Sequence, residues 1–113
     1  MITINGEKWE VLLVSPIHPS LRRSDGAYTL GCCDDNDKTI YITNDIKDIY
    51  LKKVLCHELT HAAMFSYDVN LSYEQEELVA DIIATYGAEI VHMANEIFIR
   101  LKEQRKQLKG ERL

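Results

Sequence analysis

The sequence predicts an α+β fold, in which a small twisted sheet, antiparallel or mixed, is followed by two helices, the second of them long. Three observations carry this reading. Short runs of β-branched and aromatic residues, separated by turn pairs, fill residues 1–43. Apolar residues then recur at three- and four-residue intervals through residues 44–108. A length of 113 residues with 46% hydrophobic and 27% charged residues suits one globular domain and leaves no room for a second core.

The first element pair is built around Asn5-Gly6, with Thr3-Ile4 before it and Trp9 to Val14 after it, the pattern of a hairpin. Ser15 to Ser20 contains Pro16 and Pro19, neither of which can donate to a ladder, so this segment is a loop. Tyr28 to Cys33 and Thr39 to Ile42 flank the polar stretch Asp34-Asp35-Asn36-Asp37-Lys38 and predict a second hairpin. That stretch lacks the Gly and the closing Glu of a calcium loop, which leaves a solvated turn. The strand at Lys38 to Ile42 is either an ordinary hairpin arm or an edge onto which an extended peptide adds.

Thr43, Asn44 or Asp45 can cap a helix spanning about residues 46–65, whose inward positions are Ile46, Ile49, Tyr50, Val54, Leu55, Leu59, Ala62 and Ala63. Ser72-Tyr73-Glu74-Gln75 reads as a capping box opening the second helix. Leu78, Ile82, Tyr86, Ile90, Ala94, Ile97 and Leu101 continue one apolar stripe along it, with Gly87 a bend or a close-packing point. The segment from Lys102 onward is charged and should fray into solvent.

Composition narrows the partners. Thirteen Lys+Arg against eighteen Asp+Glu give a net charge of -5, which argues against phosphate-dominated nucleic-acid binding and against docking on an anionic membrane. The first residues lack the basic and apolar regions of a signal peptide, so the expected compartment is the cytoplasm. Cys32, Cys33 and Cys56 are odd in number, and two of them are adjacent. Reduced thiols fit that compartment, with Cys56 expected as a small buried apolar residue.

His57-Glu58-Leu59-Thr60-His61 is an HExxH motif inside the first expected helix. At 100° per residue the two histidines differ by about 40° in azimuth and about 6 Å in rise, so both imidazoles can share one metal ion. Glu58 is rotated away from that line, and its longer side chain can reach a water without becoming a ligand. With four His in 113 residues, a chance match to the motif is expected on the order of 0.01 times. Two histidines and a glutamate in an apolar helix would also be costly to bury without a cation.

A catalytic zinc site uses three protein ligands. The third His of HExxHxxGxxH is absent, because Met64 and Tyr67 stand at the Gly and His positions. His18, His92, Glu77 and Asp81 are therefore the candidates. Glu77 is in step with the inward stripe through Leu78 and Ile82, whereas Glu74 and Glu76 read as surface charges compensating the helix dipole.

HELTH followed by ELVADIIA resembles the gluzincin arrangement, in which HExxH is followed on the next helix by ExxxD. Over roughly residues 28–91 the short spacing and the preceding strand pair resemble the short phage and prophage peptidases of the ImmA/IrrE type. The resemblance implies a minimal zincin-like domain with one zinc ion held by His57, His61 and Glu77. It also implies Asp81 as the hydrogen-bond partner of a zinc-bound histidine and Glu58 as the general base. A protein or peptide substrate, such as a repressor-type regulator, is the implied partner, and peptide-bond hydrolysis the implied reaction. Tyr67, Tyr73, Tyr28 and His92 are chemically able to donate to the developing oxyanion. The competing expectation is a metal-bearing regulatory or interaction module with little or no turnover.

Overall fold

The computed structural model describes residues 1–111. Four strands, β1 (Ile2–Ile4), β2 (Glu7–Val14), β3 (Gly31–Asp34) and β4 (Thr39–Thr43), are followed by α1 (Asp48–Ser66), α2 (Tyr73–Ile82) and α3 (Ala88–Glu111). The expected α+β class is found, with the sheet mixed rather than purely antiparallel. Its order is β1-β2-β4-β3.

Both hairpins form where the turn chemistry places them. β1 pairs with β2 across Asn5 and Gly6, which sit at φ 49° and 80°, the left-handed values that Asn and Gly tolerate in a two-residue hairpin turn. β3 pairs antiparallel with β4, and its first residue is Gly31 rather than Tyr28. In the intervening turn Asp34 accepts from the Asn36 amide, and Lys38 bridges Asp35 and Glu7.

β2 and β4 lie side by side in parallel, with Val11 opposite Ile40 and Leu13 opposite Ile42. β4 therefore has partners on both sides, which removes it as the edge available to an added peptide. The free edge on that side of the sheet belongs to β3. Of the two alternatives the hairpin arm is found, and the sequence left them open because the β2–β4 pairing joins segments distant in sequence.

One face of the sheet receives α1. Trp9, Ile40, Ile42 and Ala62 are fully or almost fully buried, with Ile2, Ile4, Val54, Leu55 and Leu59 packed around them. Burial of each large side chain contributes about 1.5–3 kcal/mol. The end of α1 is fixed to the first hairpin, because Trp9 Nε1 donates to Ser66 Oγ at 2.8 Å and Asn5 Nδ2 donates to the Ser66 carbonyl at 2.9 Å. On the opposite face the loop after β2 lays Leu21, fully buried, beneath β4, and His18 stacks on Tyr41.

The second helical stretch departs from expectation in three respects. Its capping box is present, with Ser72 Oγ accepting from the Gln75 amide and the Gln75 side chain accepting from the Ser72 amide. However, α2 and α3 are separated by a π turn over Ile83–Gly87. A Cβ on Gly87 would fall 3.2 Å from Ile83 Cγ2, so the glycine marks this irregular turn. The apolar stripe beyond Ala80 is also left exposed, and α3 remains helical to Glu111 where fraying was expected. Among the described residues no helix is long and apolar enough to cross a membrane.

Candidate metal centre

α1 and α2 run antiparallel, and their register sets the site. Four residues forward along α1, from His57 to His61, correspond to four residues back along α2, from Asp81 to Glu77. His61 Nε2 lies 2.8 Å from Glu77 Oε1, and His57 Nε2 lies 3.4 Å from Glu77 Oε2. The two Nε2 atoms are 3.1 Å apart. All three side chains offer a ligand atom within 4.8 Å of one another.

The other ring nitrogens explain the orientation. His57 Nδ1 sits 3.0 Å from Asp81 Oδ1, and His61 Nδ1 sits 2.6 Å from Glu76 Oε1. With a cation between the two rings and Glu77, each Nδ1 would donate to its carboxylate and each Nε2 would present a lone pair. Two lone pairs and a carboxylate then converge on one point. A divalent cation satisfies all three acceptors at once, and the set of two imidazoles and one carboxylate suits zinc and other first-row divalent ions.

Glu76 is the residue that sequence reasoning misplaced. Read as a surface charge, it is in fact four-fifths buried against His61, whereas Glu74 is exposed as expected. The helix wheel misled because α2 meets α1 with two adjacent positions, and the longer Glu76 side chain reaches round to the outer ring nitrogen. No local sequence signal marks it, because only the packing of α2 on α1 sets both Glu76 and Glu77 beside His61.

Glu58 is only 7% exposed. Burial is the main force raising its carboxyl above the usual range, with the Glu77 charge adding to it, while His57 and His61 oppose the shift. Gly31, the first residue of the edge strand β3, lies against it: a Cβ there would fall 2.9 Å from Glu58 Oε2 and 2.8 Å from a Val54 methyl. Cys32 and Cys33 follow on the same strand. Burial and then the Glu58 charge push both thiols up, so they stand at the cleft as neutral groups.

Three cavities open around His57, Glu58, His61 and Glu77. One of about 400 Å³ runs past His61, Glu58, Glu77, Phe65 and Tyr73; a second of about 410 Å³ lies between Arg22, Arg23, Cys32 and Tyr73; a third of about 340 Å³ is walled by Leu30, Tyr50 and Lys53. Tyr73 thus lines the cleft, as one of the expected oxyanion donors. Tyr67 caps the end of α1 with its side chain exposed, and His92 sits on α3 paired with Glu96 at 3.2 Å. Neither lines these cavities. Tyr28 forms an isolated bridge with Arg22 and lines none of the three cavities, and His18 caps the short helical turn Pro19–Leu21 by accepting from the Ser20 amide. Cys56 is half-buried rather than buried, its Sγ 3.9 Å from the Ile83 carbonyl.

Comparison with known proteins finds no matching family model, no matching curated relative and no matching solved structure. The functional reading therefore rests on the geometry of this site and on the HExxH spacing.

Proposed function

We propose that this chain is a zinc-dependent metallopeptidase that hydrolyses peptide bonds of a protein or peptide substrate. The observation that supports it is the convergence of His57 Nε2, His61 Nε2 and the Glu77 carboxylate beside a buried Glu58 that is not part of the ligand set. Bound there, zinc supplies a Lewis acid and brings the pKa of water toward about 7.

The remaining roles belong to the chain's own residues. Asp81 and Glu76 hold the two imidazoles in the tautomer that exposes Nε2. Glu58, whose proton affinity is raised by burial, accepts a proton from the attacking water and delivers it to the departing amine. The oxyanion donor in this reading is Tyr73, supported by its place in the lining of two of the cavities. The free edge of β3 offers backbone groups to an extended substrate next to Glu58.

The test combines metal analysis with cleavage of a denatured-protein or peptide-library substrate. Wild-type protein should hold one zinc per chain and cleave. Glu58→Gln should keep the metal and lose at least a hundredfold in rate, whereas Glu77→Ala should lose both. Stoichiometric metal without cleavage by wild-type protein would reject the peptidase reading in favour of a metal-bearing binding module. Absence of stoichiometric metal would reject both.

A further inference from the structure

α3 leaves the body of the molecule and finds no cover. The protein measures 68 × 29 × 28 Å with a radius of gyration of 18.9 Å, well beyond the ~13 Å of a compact domain of about 100 residues. Ile90, Val91, Ile97, Phe98, Leu101 and Leu108 are each 48–60% exposed on this one helix. We propose that α3 is a dimerisation helix that packs antiparallel against α3 of a second copy of this chain.

Three observations favour this occupant and this orientation. The first is periodicity: Ile90, Ala94, Ile97, Leu101, Gln104 and Leu108 alternate at four- and three-residue steps, which is the a/d seam of a coiled coil. Antiparallel pairing about residue 99 sets Ile90 against Leu108 and Ile97 against Leu101 of the other copy, so one seam complements itself. The two symmetry-related polar layers are then Gln104 opposite Ala94 of the other copy.

The second is charge. The first half of α3 carries Glu89 and Glu96 with no Lys or Arg, whereas the second half carries Arg100, Lys102, Arg105, Lys106 and Lys109 against Glu103 and Glu111. A parallel pair would set the basic halves side by side. Antiparallel pairing sets each basic half beside the acidic half of its partner and also opposes the helix dipoles.

The third is area and shape. The six exposed side chains offer on the order of 650 Å² per copy, and flanking side chains bring this toward the ~800 Å² that each partner contributes to a standard interface. An apolar cavity of about 610 Å³, lined by Ile82, Ile83, Gly87, Ala88, Ile90 and Val91, opens at the root of α3. Antiparallel pairing places Leu108 of the partner copy, at its helix tip, over this cavity. In a parallel pair the cavity stays open.

The experiment is light scattering of the purified full chain at about 50 µM, a concentration at which an interface of this size is populated. The expected mass is twice 13.0 kDa. Ile97→Glu, at the centre of the seam, and Leu108→Glu, at its end, should each return the mass to 13.0 kDa with wild-type circular dichroism. Both positions are solvent-exposed in the single chain, and if Ile97→Glu lost its fold the second variant would carry the measurement. Orientation is read by placing benzoylphenylalanine at position 108 and mapping the photo-crosslink, expected near Ile90 of the other copy. A monomeric wild-type protein, or a dimer that survives both substitutions, overturns the proposal. A crosslink from position 108 to the Leu108 region of the other copy overturns the antiparallel arrangement.

Discussion

Replacing Gly31 by Ala tests how closely the edge strand and the buried glutamate depend on one another. The added Cβ would lie 2.8 Å from Val54 Cγ1, 2.9 Å from Glu58 Oε2 and 3.0 Å from Glu58 Cγ, where ordinary contact begins at 3.4 Å. Gly31 does not adopt the left-handed backbone region, so the substitution acts through crowding alone. Relief requires Val54 and Glu58 both to shift by about half an ångström, and Val54 is held against the core. Overpacking of this kind costs about 1–3 kcal/mol, which for a domain of this size lowers Tm by roughly 4 to 20 °C. The three atoms nearest the new methyl belong to Val54 and Glu58 and none to His57, His61 or Glu77, so zinc affinity should stay within about threefold of wild type. Displacing the Glu58 carboxylate should cost on the order of ten- to a hundredfold in peptidase rate. Thermal unfolding, a zinc competition titration and an initial-rate assay read the three quantities separately. A Gly31→Ala protein with wild-type Tm and wild-type rate would refute the close contact between β3 and Glu58, and a variant that lost zinc would refute the separation of Glu58 from the ligand set.

Further outcomes follow from the same geometry. Glu76→Ala and Asp81→Ala should each weaken zinc binding by about 10- to 100-fold, because each frees one imidazole to rotate, while Glu74→Ala leaves it unchanged; equal effects of all three would point to bulk charge instead. Removing zinc with a chelator should lower Tm by on the order of 15 °C when free metal had stood at about a thousand times its Kd, which corresponds to about 4 kcal/mol; an unchanged Tm would mean that no metal was bound. Cys32 and Cys33 have raised thiol pKa values, so in the folded protein their thiolate fraction at pH 8 lies below that of the unfolded chain and grows only as pH rises further. Iodoacetamide labelling, followed residue by residue by mass spectrometry, should be at least tenfold slower in the folded protein at pH 8, and equal rates in the two states would contradict the burial of these thiols.

Most local signals are found in the structure, with the start of α1 the exception: Lys47 rather than Thr43, Asn44 or Asp45 precedes the helix and makes no side-chain cap bond, and Ile49 and Tyr50 are exposed rather than inward. Asn5-Gly6 and the Asp34–Lys38 stretch mark both hairpin turns, since φ beyond the ordinary range and loss of ladder hydrogen bonds leave a direct imprint on residue choice. Ser72 and Gln75 mark the start of α2 for a similar reason, because capping is a contact between near neighbours. His57, His61 and Glu77 meet as their spacing suggests, since two helical positions four apart fix a common direction before any tertiary contact is made.

The remainder depended on segments far apart in sequence. Whether β4 was an edge or an interior strand depended on β2 docking beside it, a pairing of segments about thirty residues apart that no local turn or spacing marks. Glu76 changed from surface charge to partner of His61 only when α2 was laid antiparallel on α1. The apolar stripe of α3 was visible in the sequence, but its exposure was not, because periodicity shows that a face is apolar and leaves open what covers it. The sequence by itself thus determined the hairpin turns, the helical character of the second half and the face that brings His57 and His61 together. Only the tertiary structure decided which edge is free, which carboxylates orient the histidines and which helix stands without a partner, because each of these is a relation between distant segments.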